Sequence, residues 1–534
     1  MLSSRAPAAR AADAPGGLGA TDGGAVAEWR PNDIVVAEAA PGAAPASILP
    51  AQWFDGLLAA VPPLAPPAAD ALDAFRAAGA AEVRALVDAG GLPVSKSEAW
   101  RHVGVRELYA RTFALVDGAA PVPLPAVLPD AYVADGAGAV AVFVDGAFCA
   151  ALSRVSGLPG GVYVGGLADL DAPRREQLLA KLAVRIEGAN ANTLGVSDAS
   201  VAGGLGGAPF CALNAAAAVD VAAMVIPAGV ALADTEPIHL VFVSSASAPV
   251  SHPRYLLDGG AGSAITLVTS HVDACELAGA AEGAEGTGAA GASRALTNAV
   301  GQLLLSDGAL VRHTLVAERG PLSSHVENVE VTCAAGARYE LTTLQGPAFL
   351  CRINVGATLA GEGAQAHARG LMLTGGESSS ALDLHTAIRH LTAGCESSQL
   401  QKNLLAQKGR AVFRGLIRAN GLAKQTVAHQ LCRSMLLSDG AKLDVAPCLE
   451  IIADDVECTH GATVAELDEE KVFYFRARGI SAEAARYALV KGFALEVIDK
   501  VPYSGTKRRM AALALRLIPR KRREAIDTSN WSSI

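Results

Sequence analysis

A cysteine and a histidine two residues apart are the part of this chain whose side chains could most readily do chemistry. They lie in Asp454–Gly461, which reads DDVECTHG. If Leu449–His460 is extended, Cys458 and His460 point to the same face, because alternate side chains of a strand do so. A thiol and an imidazole suit iron, zinc or an iron–sulfur species, but two ligands cannot close a tetrahedral site. The spacing therefore indicates half of a metal site, to be completed by another part of the chain, a partner or water.

The same stretch has other interpretations. A lone Cys is usually a small buried hydrophobe, and a lone His is usually a satisfied structural residue. The neighbouring acids Asp454, Asp455 and Glu457 are either carboxylates that hold a hard cation or do acid–base work, or the charged outer face of a strand. Two alternative functions follow, namely a β-helical carbohydrate-active enzyme that uses these acids and a free-standing metal- or thiol-dependent enzyme built on Cys458 and His460.

The other histidines and cysteines of the C-terminal half are predicted to be structural. His385 and His390 are five residues apart, which puts them on opposite faces of an extended segment. Together with Asp383 and Arg389, His385 instead predicts a polar ladder. Five cysteines with apolar or small neighbours are predicted to be buried thiols: Cys333, Cys351, Cys395, Cys432 and Cys448.

Composition and missing motifs exclude several function classes. The net charge of −9 argues against nucleic-acid binding as a main role. Nine cysteines without a CxxC pair argue against a disulfide framework and favour a reducing compartment such as cytosol or stroma. We find no long apolar run that would cross a membrane. The chain also has no GxxxxGK[ST], so we expect it not to hydrolyse ATP, and no HExxH or GxSxG.

Periodicity predicts a mainly β chain with helices towards both ends. A helical rhythm begins near Pro67 and ends near Phe113, and short strands dominate from Pro237 to Cys458. Such strands allow a sandwich, a barrel or a solenoid, although narrow inner positions rich in Ala, Gly and Val favour stacked rungs. A helical period returns after Gly479, and its small and apolar stripe fits packing against the end of the β body: Ala485, Ala488, Leu489, Gly492, Phe493 and Val497.

A series of motifs extends over roughly residues 90 to 500. The longest is ADDVECTHGATVAELDEEKVFYFRARGIS, at Ala453–Ser481, and another is KSEAWRHVGVRELY, at Lys96–Tyr109. Shorter ones lie between them: Leu384–His390, Lys402–Leu405, Val412–Ile417, Gln425–Gln430 and Pro447–Ile451. Together they resemble the SufD branch of the SufB/SufD family, the scaffold proteins of the SUF iron–sulfur cluster assembly system.

The resemblance implies a right-handed parallel β-helix that acts as a non-catalytic scaffold, with a SufB-like paralogue and a SufC-like ABC ATPase as partners, and without nucleic-acid binding or membrane insertion. By motif match, His460 takes the position of the family's interface histidine and Cys458 that of a nearby cysteine. These two would be transient ligands of iron, sulfide or a nascent iron–sulfur cluster, and the isolated chain would hold no cofactor stably. The resemblance also implies a SufC-docking region at Ala485, Ala488, Leu489, Gly492 and Phe493. A SufB-like paralogue remains an alternative, although its corresponding segment reads closer to HEAT than to CTHGAT.

We expect six segments along the chain. These are a disordered extension or transit peptide (1–45), an N-terminal helical domain (46–115), a linker (116–135), a β-helix core (136–460) with a flexible insertion (279–295), a C-terminal helical domain (461–520) and a basic tail (521–534). The first residues, MLSSRAPAARAA, carry Ser, Ala and Arg and no acid, which suits an organelle transit peptide or an ordinary extension. We therefore expect the chloroplast stroma, or the cytoplasm if the source is bacterial.

Overall fold

The computed structural model describes residues 49–61, 63–64, 68–111, 124–184, 205–245, 250–274, 277, 295–376 and 380–518. The expected N-terminal extension (1–45), the expected basic tail (521–534) and all but the last residue of the expected insertion (279–295) lie outside the described residues.

Parallel strands stacked into a solenoid form the body of the described chain, which confirms the predicted mainly β fold with helices at both ends. The strands are β1 (Ala139–Val144), β2 (Ala147–Phe148), β3 (Tyr163–Gly166), β4 (Ala222–Ile226), β5 (Ile238–Ser244), β6 (Val250–Ser251), β7 (Arg254–Gly259), β8 (Ala264–Asp273), β9 (Leu296–Leu305), β10 (Leu310–Ala317), β11 (Ser324–Cys333), β12 (Arg338–Gln345), β13 (Leu350–Leu359), β14 (Gln365–Thr374), β15 (Ala381–His390), β16 (Glu396–Leu405), β17 (Arg410–Ala419), β18 (Val427–Leu436), β19 (Lys442–Ile451) and β20 (Glu457–Glu466).

Successive strands of the solenoid alternate between two sheets. Sheet A has the order β2-β1-β5-β8-β10-β12-β14-β16-β18-β20, and sheet B has the order β19-β17-β15-β13-β11-β9-β7-β4-β3, with β6 beside β9. From β8 onwards the register is continuous, so that residues of the same face stack on one another from rung to rung. The inward faces of both sheets share one apolar core, to which Leu267, Leu341 and Ile353 belong.

A left-handed residue precedes most of the sheet A strands by two positions. In five rungs that residue is a glycine with φ between 63° and 68°, because only glycine adopts this conformation without a steric cost: Gly262, Gly308, Gly336, Gly363 and Gly394. In the last two rungs the same position is taken by Gln425 (φ 56°) and Asp455 (φ 58°). Asp455 is therefore a turn residue, and the expectation of one extended segment over Leu449–His460 is wrong, since β19 ends at Ile451 and β20 begins at Glu457.

Helices cover parts of the solenoid's outer faces. The α-helices are α1 (Pro50–Ala59), α2 (Ala68–Asp88), α3 (Val105–Tyr109), α4 (Ala172–Leu179), α5 (Ala208–Ala217), α6 (Glu469–Arg476), α7 (Ala482–Ile498) and α8 (Ser504–Arg516). Four 3₁₀ helices lie at Glu98–Trp100, Asp130–Tyr132, Ala150–Leu152 and Leu167–Asp169. No helix among the residues that the structure describes is both long and apolar enough to cross a bilayer.

The N-terminal helices pack on sheet B through an aromatic cluster. The ring centroids of Trp53 and Phe210 are 6.2 Å apart, those of Trp100 and Phe210 are 5.4 Å apart, and this cluster shares a core with Leu296 of β9. Gly79 in α2 allows α2 and α5 to approach closely, since a Cβ there would lie 2.4 Å from the backbone nitrogen of Ala216. Close packing of α2 against α5 thus requires a glycine at position 79.

The C-terminal helices pack on sheet A. Val490 and Val497 of α7 and Met510 of α8 share a core with Val268 and Leu371 of the sheet. The strand before these helices, β20, ends at Glu466 and stays in register with β18 over its whole length. The expected boundary between β-helix and helical domain at residue 460 is therefore wrong, because the Ala- and Val-containing segment after His460 continues the terminal rung.

Candidate functional site

The last rung of the solenoid leaves two strand edges without a pairing strand. Among the described residues, β20 pairs only with β18 in sheet A, and β19 pairs only with β17 in sheet B. Each strand therefore presents a row of backbone N–H and C=O groups on its other side, which is the usual template for pairing with another chain. The residues predicted to do chemistry lie on β20.

Cys458 and His460 lie on the inward-facing side of β20, at the open end of the solenoid. In register they sit on Ala428 and Gln430 of β18, both of which are buried and face the interior. No rung covers them in the described chain, so Cys458 is only half-buried and His460 is exposed. The predicted common face of this thiol and imidazole is therefore present, and it is accessible through the open end of the solenoid.

The environment of Cys458 keeps its thiol protonated. Partial burial raises the pKa of Cys458 above its ordinary value, and the neighbouring carboxylate of Glu457 raises it further. Because metals and sulfur species react with the thiolate, binding at Cys458 must release a proton.

A polar side chain supports the base of the site. Gln430, directly beneath His460 in register, donates from Nε2 to Oε1 of Gln399 at 2.5 Å. A Cβ on Gly415 of the opposite sheet would lie 1.8 Å from Gln430 Nε2, so this glycine leaves the space that the glutamine occupies. The interior of the solenoid directly beneath His460 is thus occupied by the Gln430 amide, which the hydrogen bond to Gln399 holds in position.

A groove of about 410 Å³ lies on the outer face of sheet A beside the terminal strand, opposite the side on which the His460 side chain lies, and is lined by Arg369, Leu400, His429 and Thr459 among others. His429 is exposed, and its Nδ1 lies 2.8 Å from the hydroxyl of Thr459. The groove therefore combines polar and apolar side chains next to the strand edge.

The predicted acidic cluster does not form a facing pair of carboxylates. Asp454 and Asp455 are exposed in the turn between β19 and β20, where the Asp455 carbonyl accepts the N–H of Gln425 at 2.7 Å. Glu457 alone of the three lies in β20, on the face opposite Cys458. Asp454 would share the face of Cys458 if Leu449–His460 were one extended segment, but the turn separates the two residues. None of the three acids lines the groove on the outer face of sheet A.

The predicted docking stripe of α7 is divided between two faces. Ala485 is buried against the rest of the protein, Leu489 and Phe493 are half-buried, and Ala488 and Gly492 are exposed. Nothing lies within 4 Å of the position that a Cβ of Gly492 would occupy. The outward part of the stripe is therefore small and open.

Two aromatic residues that the sequence did not single out lie on the preceding helix. Phe473 and Tyr474 of α6 are 70% and 56% exposed, and exposed aromatics of this size are a common feature of interfaces. An ion pair of 2.8 Å between Glu469 and Arg486 connects α6 to α7. The run of three consecutive aromatic residues at 473–475 is the signal that could have identified this surface, because neighbouring residues of a helix cannot all face the same side.

Comparisons with known proteins agree with this geometry. A family model described as "SUF system FeS cluster assembly, SufBD core domain" matches residues 242–493. The chain is 31% identical to the Arabidopsis thaliana "Protein ABCI7, chloroplastic" over 370 residues, which cover 68% of this chain and 70% of that protein. The chain belongs to the SufBD family. Within it, the chain is 28% identical to a SufBD family protein of Synechocystis over 78% of this chain and 86% of that protein. It is 33% identical to the Escherichia coli iron–sulfur cluster assembly protein SufD over 41% of this chain and 52% of that protein.

The SufBD core match contains both candidate surfaces, since it extends from β5 to Phe493 in α7. Cys458 and His460 do not belong to any group of three clustered ligand side chains in the part of this SufBD chain that the structure describes. Within that part, the pair remains a two-ligand half-site.

The remaining predicted residues have structural positions in the SufBD solenoid. Asp383 and His385 lie on the outer face of sheet B, where His385 Nε2 is 2.9 Å from Asp383 Oδ1, and Arg389 pairs with Glu330 at 2.9 Å. These contacts are the predicted polar ladder. Of the five predicted buried thiols, Cys448 is instead exposed, because it lies on the outer face of the edge strand β19.

Proposed function

We propose that this chain is the SufD-like, non-catalytic scaffold subunit of a SUF complex. It contributes its open solenoid end to an interface with a SufB-like paralogue, at which an iron–sulfur cluster is assembled, and it docks a SufC-like ABC ATPase. The observation that carries the proposal is the two-ligand half-site of Cys458 and His460 on an unpaired strand edge.

The open end has the physical properties of a protein interface. Alongside the unpaired edges of β19 and β20 it exposes Ile451 (39%), Ile452 (58%) and Val464 (51%). Apolar side chains next to free backbone donors and acceptors favour the addition of a strand from another chain. A partner strand at this edge would lie directly beside Cys458 and His460.

The half-site sets the chemical role of this interface. The imidazole of His460 and the thiolate of Cys458 supply two ligands for iron, which with sulfide is the cargo of assembly, and the partner supplies the other ligands. A site divided between two chains opens when the chains separate, which suits a cluster that must be released. The alternative carbohydrate-active enzyme lacks support in the geometry, since Asp454 and Asp455 lie in an exposed turn.

We assign ATP hydrolysis to the SufC-like partner because this sequence has no GxxxxGK[ST] motif. The exposed small residues of α7, Ala488 and Gly492, with Phe473 and Tyr474 on α6, supply a surface on which such a partner would dock. The Ser-, Ala- and Arg-containing start of the chain and the chloroplastic name of the Arabidopsis relative support a plastid location, in the stroma.

Capture of a SufB-like partner tests the proposed edge. The N–H of Glu457 donates towards β18, to the carbonyl of Thr426, so the N–H of Ala462 points to the unpaired side. Ala462→Pro removes that outward donor and keeps the ladder with β18, whereas Ala462→Ser retains the donor. We expect the proline variant to bind the co-expressed SufB-like protein about tenfold more weakly. It loses one backbone hydrogen bond to the partner strand, and the proline ring keeps that strand from approaching closely. Equal capture by both variants would contradict the edge proposal, and preferential capture of a SufD-like protein would indicate the SufB-like role.

Substitution of an exposed helical glycine tests the docking surface. Gly492→Arg is expected to abolish retention of the SufC-like ATPase, because a long charged side chain replaces an open surface. The substitution should not unfold α7, since glycine in a helix is about 1 kcal/mol less favourable than other residues. Gly56→Arg is the matched control, as Gly56 is also an exposed helical glycine with nothing within 4 Å of its Cβ position. Co-purification of the ATPase at wild-type yield with the Gly492 variant would exclude this surface.

A further inference from the structure

Two histidines and a glutamate meet inside the solenoid, far from the open end. His271 lies on the inward face of β8 in sheet A, and His325 and Glu327 occupy alternate positions on the inward face of β11 in sheet B. All three side chains are 0% exposed. Their ligand atoms lie within 4.8 Å of one another.

The distances from the carboxylate to the two imidazoles match those between ligands of one metal ion. Oε2 of Glu327 is 2.9 Å from Nε2 of His325 and 3.2 Å from Nε2 of His271. Zinc lies about 2.0–2.2 Å from nitrogen and oxygen ligands, which separates two ligands by roughly 2.9 Å at a right angle and 3.3 Å at the tetrahedral angle. The carboxylate oxygen is therefore placed as a ligand between the two imidazoles.

The hydrogen bonding of the cluster is incomplete without an ion. Within the described residues, neither ring nitrogen of His271 has a hydrogen-bond partner, and Nδ1 of His325 has none. Nε2 of His271 is close to Glu327 but lacks the alignment of a hydrogen bond. Buried polar atoms without partners are costly and uncommon. A metal ion would bind the lone pair of His271 Nε2, an atom that makes no hydrogen bond to the carboxylate.

Another buried histidine of the same core shows what a purely structural role requires. His313 is also buried and faces inwards, but Nε2 lies 2.9 Å from the hydroxyl of Thr269 and Nδ1 lies 2.8 Å from that of Tyr339. Both of its ring nitrogens are therefore satisfied. The contrast with His271 separates the cluster from an ordinary histidine of the core.

The surroundings of the cluster support a cation. The hydroxyl of Tyr255 donates to Oε1 of Glu327 at 3.0 Å, which orients the carboxylate as a neighbouring group orients a metal ligand. Gly301 makes room for this tyrosine, since a Cβ there would lie 2.1 Å from the ring. The nearest buried cation, Arg319, is paired at 2.6 Å with Asp273, so it is already balanced by another carboxylate.

We propose that His271, His325 and Glu327 bind one divalent first-row transition metal ion, Zn²⁺ or Fe²⁺, in the core of the solenoid. Two imidazoles and a carboxylate are a donor set that both ions accept. The ion connects β8 of one sheet to β11 of the other and is structural, separate from the transient iron at Cys458 and His460. Because the ligands are sealed from solvent, the ion enters as the chain folds and does not exchange from the native protein.

Metal analysis of the full chain tests this site. The protein is produced with Zn²⁺ alone, Fe²⁺ alone under anaerobic conditions, or both, and is then dialysed against EDTA. We expect about one retained ion per chain, and the arm with both metals identifies the preferred one. Glu327→Gln and His271→Ala should lose at least about nine-tenths of it, whereas His313→Ala and His460→Ala should keep it. A wild-type chain without metal in every arm, or the same content in Glu327→Gln, would overturn the proposal.

Refolding of the wild-type chain covers the case in which the variants do not fold. The chain is unfolded in guanidinium with EDTA and refolded with chelator, Zn²⁺, Fe²⁺ or Co²⁺. We expect a higher Tm and refolding yield with metal, and visible absorption bands from Co²⁺ bound by nitrogen and oxygen ligands. Identical Tm and yield with and without metal would refute the site.

Discussion

His460→Ala is expected to slow iron–sulfur cluster formation by the proposed complex of this chain with SufB-like and SufC-like partners at least about tenfold, since loss of even an indirect metal partner commonly costs 10- to 100-fold. The fold should be unchanged, because His460 is exposed at the end of the solenoid and its ring packs into no core. Cys458 and His460 are the two ligands of the proposed half-site within the described residues, so removing the imidazole leaves the thiol of Cys458 alone. The measurement is the rate of cluster absorbance after addition of iron, a sulfur donor and ATP.

The neighbouring strand provides the matched control for this experiment. His429 is an exposed histidine on β18 whose side chain points to the outer face and contacts Thr459. His429→Ala removes the same side chain from the same region, and we expect it to keep the wild-type rate. If both variants assemble clusters at the wild-type rate while the complex stays intact, His460 has no role in assembly.

The common face of Cys458 and His460 could be predicted because strand alternation is a local property. Two residues apart on any strand, they share a face whatever the rest of the fold does. Whether that face points into a sealed core or out of an open end depends on which rung comes last. No local pattern shows this, because the position of β20 at the end of the solenoid depends on the number of rungs. β18 is covered by β20, whereas no further strand of the described chain pairs with β20.

The turn that contains Asp455 shows why the repeat was not visible in the sequence. Five rungs have glycine at this position, but the last two have Gln425 and Asp455, residue types that adopt a left-handed conformation far less often than glycine does. A search for glycines two residues before each strand would have found most of the rungs. The final turn would still have been missed, and with it the separation of Asp454 from Cys458.

Contacts between distant parts of the chain were the least predictable feature. His271 and Glu327 belong to different sheets, and Arg352 contacts Ala99 and Leu205. The α7 stripe was predicted from small and apolar residues at helical spacing. Which side of α7 is buried depends on its packing against sheet A, which buries Val490 and Val497. Such pairings are set by the stacking of rungs, which a single sequence does not display.

Arg352 is the clearest example, and its removal is expected to destabilise the chain by about 3–5 kcal/mol. Its buried guanidinium donates to Asp383 at 2.8 Å and to the Ala99 carbonyl at 2.6 Å, and it lies 3.9 Å from the Trp100 ring centroid. The Arg352 side chain therefore connects the N-terminal segment around Trp100 to sheet B. In Arg352→Met the volume is nearly kept, but the carboxylate of Asp383 stays buried with only His385 beside it, at 2.9 Å.

Urea denaturation at pH 7 measures the free energy of unfolding, and a surface ion pair provides the control. Arg338 and Glu340 are 2.7 Å apart with Arg338 45% exposed, so Arg338→Met should cost less than about 1 kcal/mol. Arg352→Met combined with Asp383→Asn should be more stable than Arg352→Met alone, because no buried charge is left unpaired. Equal stability of the two would place the cost in lost packing instead.

The pH dependence separates the lost ion pair from lost packing. Burial by itself would raise the pKa of Asp383, but His385 and Arg352 together hold it below its ordinary value. A carboxyl with a lowered folded-state pKa adds stability above its unfolded pKa and loses it as the pH falls through the folded pKa. The unfolded state is common to both chains, so its titration cancels from their difference. The difference between wild type and Arg352→Met should therefore shrink as the pH falls from the folded-state pKa of Asp383 in the variant, which lies higher without Arg352, towards the lower folded-state pKa in wild type. A difference that stays constant from pH 7 to pH 3 would show that packing around Trp100, and not the charge of Asp383, is what Arg352 maintains.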